Sequence, residues 1–383
     1  MRNALFVLEA YDGKMPLAAF LKQFFARHKK FGSKDRKHIA ALCHQYFRLG
    51  HFASNWHMED RVLLADWLCH LDAGAVVAAL WPEKLSDIHG SVSDKCAFLS
   101  IPFTPKKHTP WFALLQKQTD PKSYASSFFI QPSLFLRVRP GHKPSIQKKI
   151  AAVGLDFNWK TEDALELPNA QKDISQWLDV NREVVVQDWS SQQCGKIIFN
   201  QLPDLQGVVW DCCSASGGKT MMMADIYGNR LRFLVSDIRA SILHNLQKRF
   251  AEADFQNYTL FEADLEKPVS HAALLKGVDI LLADVPCTGS GTWARTPERH
   301  FYFDEKQIKL FIEMQKAIVG NAIPHVKKGG TIIYITCSVF SGENEDQISF
   351  FENQYGLTTQ FSEIIDGTGK KADSMFLAIL RKN

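Results

Sequence analysis

Apolar positions recur every three or four residues along the first hundred residues. The stretches NALFVLEAYDGKMPLAAFLKQFFARHKK (3–30) and SKDRKHIAALCHQYFRLGHFASNW (33–56) therefore predict amphipathic helices, the second opening at Ser33 with Asp35 and Arg36 in its first turn. HLDAGAVVAALWPEKL (70–85) continues the pattern, and the proline-rich SIPFTPKKHTP (100–110) breaks it and predicts a linker. From about residue 113 the period changes. SLFLRVRPG (133–141) predicts a strand closed by Pro140-Gly141, and PSIQKKIAAVGL (144–155) a short helix with Gly154 near its end. From about residue 176 strands and helices alternate. VVWDCCSASGGKTMMMADIY (208–227) predicts strand, glycine turn and helix, and RFLVSDIRASILHNLQKRFAE (232–252) a strand with an acidic end, then a helix. YTLFEADL (258–265) and VDILLADVPC (278–287) predict two more strands. A long helix over 304–326 follows, and then the strand GGTIIYITCS (329–338). The boundaries that follow are 1–112, helical; 113–175, a small α+β module; and 176–383, an α/β domain wound as an open parallel sheet.

Composition changes little in this picture. A hydrophobic share of 46% and a charged share of 22% are those of an ordinary globular chain. No apolar run is long enough to span a bilayer, and MRNALFVLEAYDGK lacks a signal-peptide pattern, so a cytoplasmic protein without membrane contact is expected. Net charge is only +4, but its distribution is uneven: RHKKFGSKDRKH (27–38), PKKHTP (105–110) and RVRPGHK (137–143) are basic, all before the α/β domain. Three such clusters point to a nucleic-acid partner. None of the eight cysteines forms a CxxC pair, and no His/Cys spacing suggests a metal site. Cys43, Cys69, Cys96 and Cys194 are expected as buried apolar side chains.

The candidate chemistry lies at strand ends, where open α/β sheets bind their ligands. Asp211, Asp237, Asp264, Asp284 and Cys337 all fall there. In DCCSASGGKT, small residues and two glycines let backbone amides approach a ligand, and Asp237 is placed to accept from ribose hydroxyls. Position 213 is Cys, so GGKT lacks the first glycine of a phosphate loop, and an adenosine-containing cofactor fits better than a triphosphate. Two thiols, Cys287 in ADVPCTGSG and Cys337 in ITCSVFSGENEDQ, end separate strands. A thiolate can add to carbon 6 of a pyrimidine and make carbon 5 nucleophilic toward an activated methyl group. A strand-end thiol before a helix start is also placed to ionise. The residues alone do not choose between the two thiols.

ADVPCTGSGTW and ITCSVFSGENEDQI resemble the two cysteine motifs of the RNA cytosine-5 methyltransferases of the Nop2/Sun (Fmu) family. VVWDCCSASGGKT resembles that family's S-adenosylmethionine loop, VVVQDWSSQ (184–192) its entry to the catalytic domain, and KADSMFLAILRKN its closing strand. The likeness runs in order over residues 131–383. GSKDRKHIAALCHQYFRLG resembles the NusB-like RNA-binding domain of the ribosomal-RNA branch. The resemblance implies a multidomain fold: an all-α NusB-like domain, a small α+β, RRM-like RNA-binding module, and a Rossmann-like methyltransferase domain with a mostly parallel seven-stranded sheet. It implies Cys337 as nucleophile and Cys287 as the thiol that assists breakdown of the adduct. Cys213, Ser214, Ala215, Ser216, Gly217, Gly218 and Lys219 would wrap S-adenosyl-L-methionine with Asp237, Asp264 and Asp284, and Lys219 and Asp284 would also meet the base. Ser214-Ala215-Ser216 replaces the family's Ala-Ala-Pro, and Ile242 stands where an arginine is usual, with Arg239 as a substitute. The expected protein is a monomeric, metal-free methyltransferase acting on ribosomal RNA, with transfer RNA as the second choice. A non-catalytic RNA-binding or assembly factor and a DNA methyltransferase are the alternatives.

Overall fold

The computed structural model describes residues 1–70, 75–82, 89–154, 156–167 and 174–383. Parts of the expected helix over 70–85, Leu155 and residues 168–173 of the small module lie outside the described residues. The chain forms two compact units, Met1–Pro132 with Thr292–Glu305, and Ser133–Gly291 with Lys306–Asn383.

The first unit is helical, as the periodicity predicts. Helices Arg2–Ala10, Leu17–Arg27, Ser33–Arg48 and Met58–Cys69 turn Val7, Leu21, Leu42, Phe47, Leu64 and Trp67 into one core. Arg27, Lys29, Lys30, Lys34 and Lys37 stay exposed, so this basic cluster is available to an anionic partner. The stretch 100–110 is not a linker. Pro105 opens the short helix Pro105–His108, and His108 is fully buried, its Nε2 2.9 Å from the Arg48 carbonyl. Thr109 Oγ1 lies 3.0 Å from His300 Nε2, and the His108 and His300 rings stack at 4.7 Å. Burial pushes the His108 imidazole down to about 4 and His300 well below the usual range, so both are neutral core side chains. Proline spacing reports a helix break; it says nothing about burial.

The second unit holds two sheets. Strands β1 (Leu134–Val138), β2 (Asn158–Trp159), β3 (Ala164–Leu167) and β4 (Val184–Val186) pair antiparallel in the order β2-β3-β1-β4. Helix Lys143–Val153 packs Ile146 and Ile150 into this sheet's core and ends at Gly154 with φ +64°. The basic stretch 137–143 is largely structural. Arg137 and Arg139 both pair with Asp225, at 2.5 and 2.9 Å, with side chains 6%, 16% and 7% exposed. Removing one partner from a buried ion pair strands the other charge. Asp225→Ala leaves two guanidiniums facing each other and should destabilise the protein by about 3–5 kcal/mol, read by chemical denaturation.

Strands β5 (Gly207–Asp211), β6 (Leu231–Asp237), β7 (Tyr258–Glu262), β8 (Val278–Asp284), β9 (Val326–Thr336), β10 (Leu357–Ile365) and β11 (Met375–Lys382) form the larger sheet, in the order β10-β11-β9-β8-β5-β6-β7. Strands β5 to β9 are parallel, and β10 and β11 close one edge antiparallel. Val209, Trp210, Leu281, Leu282, Ile332 and Ile333 are essentially unexposed, the near-continuous apolar run a two-sided parallel sheet requires. The chain winds outward through β6 and β7, then returns to place β8 on the other side of β5. The carboxyl ends of β5 and β8 therefore flank the point where the winding reverses. Among the described residues no helix is long and apolar enough to cross a membrane.

Candidate active site

Asp211 ends β5, and the loop Cys212–Gly217 leads into helix Gly218–Tyr227. The loop is pinned to both neighbouring strands: Cys212 N–H donates to Leu282 O at 3.1 Å and Ser214 N–H to Ser236 O at 3.0 Å. Gly217 takes φ +75°, and a Cβ there would sit 2.6 Å from the Phe250 ring, so glycine is required. At Gly218 a Cβ would meet nothing within 4 Å, and the buried Ser214 hydroxyl has no partner among the described residues. Open space over a helix N-terminus beside an unused hydroxyl suits a polar ligand lying across the loop. Asp211 is fully buried and accepts from the Thr220 hydroxyl. Burial pushes its carboxyl up to about 7 against that hydrogen bond.

Asp237 ends β6 and is buried. Its Oδ2 accepts from Ala215 N–H at 3.1 Å, and its Oδ1 from Arg239 N–H at 3.0 Å and Arg239 Nε at 2.9 Å. The Arg239 side chain is 58% exposed, so it can swing off the carboxylate when hydroxyls arrive. Asp264 lies two residues past the end of β7, not in the strand. Its carboxylate bonds locally, to Lys267 Nζ at 2.7 Å and Glu266 N–H at 3.1 Å. The structure brings Ala215 and Asp237 together by hydrogen bonding and leaves Asp264 on its own turn.

Lys219, in the first turn of the helix, reaches Asp284 at the end of β8, with Nζ 3.2 Å from Oδ2. Burial works against the Lys219 ammonium, but Asp284, Cys194 and Cys337 outweigh it and raise its pKa. The ammonium is nearly enclosed (9% exposed), whereas the carboxylate is 31% exposed and open to a ligand.

The two thiols meet because β8 and β9 are parallel neighbours in which Asp284 pairs with Ile335. Both strands stop together, and Cys287 Sγ and Cys337 Sγ lie 3.3 Å apart. Val285 N–H donates to Ile335 O at 3.1 Å and Gly291 N–H to Cys337 O at 2.9 Å, carrying the pairing past the strand ends. A Cβ on Gly291 would sit 2.0 Å from the Ser374 carbonyl, so this approach also demands glycine. The Cys287 pKa is raised well above the usual thiol value. The hydrogen bond with Cys337 is the largest cause, followed by burial and the charges of Cys337 and Glu343. Cys287 is thus the proton-bearing partner, and its S–H can donate to Cys337 sulfur. The following helix, Glu345–Tyr355, starts eight residues beyond Cys337 (345 minus 337).

One residue with no predicted role stands at the centre of this region. Of the three carboxylates behind Cys337, Glu345 is half-buried and Asp346 exposed, while Glu343 is fully buried. It accepts from Thr288 N–H at 2.8 Å, Thr288 Oγ1 at 2.6 Å, Ser338 Oγ at 2.5 Å and Gln315 Nε2 at 3.2 Å. The only signal in the sequence was an acid following closely on a thiol. Among the described residues no group of three or more His, Cys, Asp or Glu side chains is placed to hold a metal ion.

Seven strands in this order, with a small-residue loop leaving β5 and an acid closing β6, form a Rossmann-like domain. Solved structures share the fold: PH0851, at a TM-score of 0.68 and 18% identity over 99% of this chain and 97% of that one, and NSun6 from Pyrococcus horikoshii with SFG, at 0.61 and 14% over 71% and 97%. The family model of the 16S rRNA methyltransferases RsmB/F matches residues 201–375. A relative from Synechocystis sp., a probable ribosomal RNA small subunit methyltransferase B, is 28% identical over 259 residues, 63% of this chain and 55% of its own length. The chain spans between about a third and just over half the length of the curated relatives it matches.

Proposed function

We propose that this protein methylates carbon 5 of a cytosine in RNA, with 16S ribosomal RNA as the preferred substrate, through a covalent adduct on Cys337. The observation that carries this reading is the pair of sulfurs 3.3 Å apart at the ends of β8 and β9, beside the Lys219–Asp284 ion pair. The match of residues 201–375 to the 16S rRNA methyltransferase RsmB/F family model supports it. S-adenosylmethionine, when bound, supplies an electrophilic methyl carbon. Cys213 to Lys219 and Asp237 would hold it, as the open space over Gly218 and the unused Ser214 hydroxyl allow, with Asp264 near the adenine.

In the resting site the Cys287 thiol can donate to the Cys337 sulfur. Cys337 attacks carbon 6 of the unstacked cytosine, forming the S–C6 bond. The displaced electron pair reaches the ring toward nitrogen 3, where Lys219 and Asp284 orient the base and meet the charge. Once Cys337 is a neutral thioether, the hydrogen bond and the charge that held the Cys287 proton are both gone. Carbon 5 would use the freed electron pair to take the methyl group, leaving the demethylated cofactor, and Cys287 would then lose its proton to solvent and take the proton from carbon 5. The C5–C6 double bond re-forms as the C6–S bond breaks, and Cys337 leaves as thiolate. The helical unit would act as a NusB-like RNA-binding domain, with the Arg27–Lys37 cluster on phosphates, and the antiparallel sheet as an RRM-like module.

Incubation with methyl-labelled S-adenosylmethionine and 16S ribosomal RNA, transfer RNA or duplex DNA tests this reading. Label in ribosomal RNA is expected, with bisulfite sequencing of RNA from a deletion strain giving the position. Label in transfer RNA alone moves the substrate, and label in duplex DNA alone moves the class. No label in any of them leaves the non-catalytic assembly factor.

A further inference from the structure

Glu343 has no task in the steps above, yet it is fully buried and accepts four hydrogen bonds. A carboxylate sealed from water is costly unless hydrogen bonds replace its hydration. The bonds that do so here come from residues that hold a cysteine loop. Thr288, which follows Cys287, donates twice, through N–H and hydroxyl. Ser338, which follows Cys337, donates through its hydroxyl. The Gln315 amide donates both to Glu343 and, at 2.9 Å, to the carbonyl of Pro286, which precedes Cys287. The turn around Glu343 is fastened in its own right. Tyr334 hydroxyl donates to the Glu343 carbonyl at 2.8 Å, and the Asn344 amide donates to Ser338 O at 3.0 Å. Burial pushes the carboxyl up and its donors pull it back.

Resting on the reading of the two thiols given above, we infer that Glu343 is a positioning residue: its carboxylate ties the Cys287 loop to the Cys337 loop and sets the distance and aim of the two sulfurs. Two loops from different strands have no covalent reason to hold a sulfur separation. A carboxylate supplies it: its Oε1 accepts from Thr288 N–H and the Gln315 amide, and its Oε2 accepts from the Thr288 and Ser338 hydroxyls together. Positioning of this kind acts on the rate of the chemical step rather than on substrate binding, and a misplacement of about 1 Å costs about 10²-fold.

Glu343→Gln keeps the shape, but its amide N–H₂ must donate to the Thr288 and Ser338 hydroxyls where the carboxylate accepted from both, so the bonds that tie the two loops are reversed and lose their shared charge. Expected are a kcat about 100-fold lower with KM for RNA and for S-adenosylmethionine within about threefold. A second readout needs no methyl transfer. Phenylarsine oxide condenses with two adjacent thiols to give a cyclic dithioarsenite and water, detected by intact mass. Bridging of Cys287 and Cys337 in the parent, absent in Cys287→Ser, should be lost in Glu343→Gln while the count of thiols reacting with a monofunctional reagent stays the same. Should Glu343→Gln fail to fold, Thr288→Val and Ser338→Ala carry the test. Each should lower kcat about 10-fold, and the double variant should fall well short of the product of the two, because both act through one carboxylate. Unchanged kcat and bridging in Glu343→Gln, or fully multiplicative effects of Thr288→Val and Ser338→Ala, overturn the inference. A parent that methylates no RNA but still bridges its thiols defeats the proposed function alone.

Discussion

Cys337→Ala is expected to lower methyl transfer by about 10⁴-fold or more, with S-adenosylmethionine affinity unchanged. Carbon 5 of cytosine is a poor nucleophile until a group adds at carbon 6, and no other described group in the site is poised to add. Cys287 is the nearest thiol, but the proposed steps set its sulfur against the carbon 5 proton, not against carbon 6. Lys219 and Asp284 are locked in their own ion pair and have charge to offer, not a carbon-attacking pair of electrons. Initial rates and equilibrium binding of S-adenosylmethionine check the two halves of this expectation. A loss of less than about tenfold would mean that carbon 6 is attacked by another group.

What could be read from sequence followed a simple physical boundary. An apolar run that stops on an acid shows where a buried strand meets water, so Asp211, Asp237 and Asp284 could be placed at the ends of β5, β6 and β8. The helical first unit and the five parallel strands of the larger sheet were legible for the same reason, because periods of 3.6 and near-continuous apolar runs report burial directly, whereas the count of seven strands came with the family resemblance. Asp264 is the exception that shows the limit: β7 stops at Glu262, and YTLFEADL offers two acids at which a strand could end. Pairing across the fold was not legible. That Arg137 and Arg139 would share Asp225, 88 and 86 residues away, depends on where a helix packs against a different sheet. The same holds for Glu343. In GENED the three acids are alike in type, and only the turn that carries Glu343 beneath Thr288 and Ser338 separates it from exposed Asp346. The segment Thr292–Glu305, read in line with the α/β domain, belongs to the helical unit, which local patterns cannot reveal.

Cys287→Ala should behave differently from Cys337→Ala, and that difference separates the two thiols. The variant retains the sulfur that attacks, the Lys219–Asp284 pair and the cofactor loop, so the S–C6 bond and the methyl transfer can both form. What it lacks is the group that takes the proton from carbon 5, and without that step the C6–S bond cannot break. Turnover is expected to fall about 10²- to 10⁴-fold, the range for loss of a positioned base, while a protein–RNA species resistant to denaturant builds up toward one per enzyme. A denaturing gel with end-labelled RNA reads it directly. The Cys287→Ala/Cys337→Ala double variant should show no such species, because its sulfur is Cys337. Accumulation in Cys337→Ala and not in Cys287→Ala would exchange the two roles. The asymmetry follows from the resting site, where the hydrogen bond between Cys287 and the Cys337 sulfur, 3.3 Å away, is the largest cause holding the Cys287 proton. Adduct formation removes that hydrogen bond, and removing Cys287 stops the cycle at the step where its proton was due to leave.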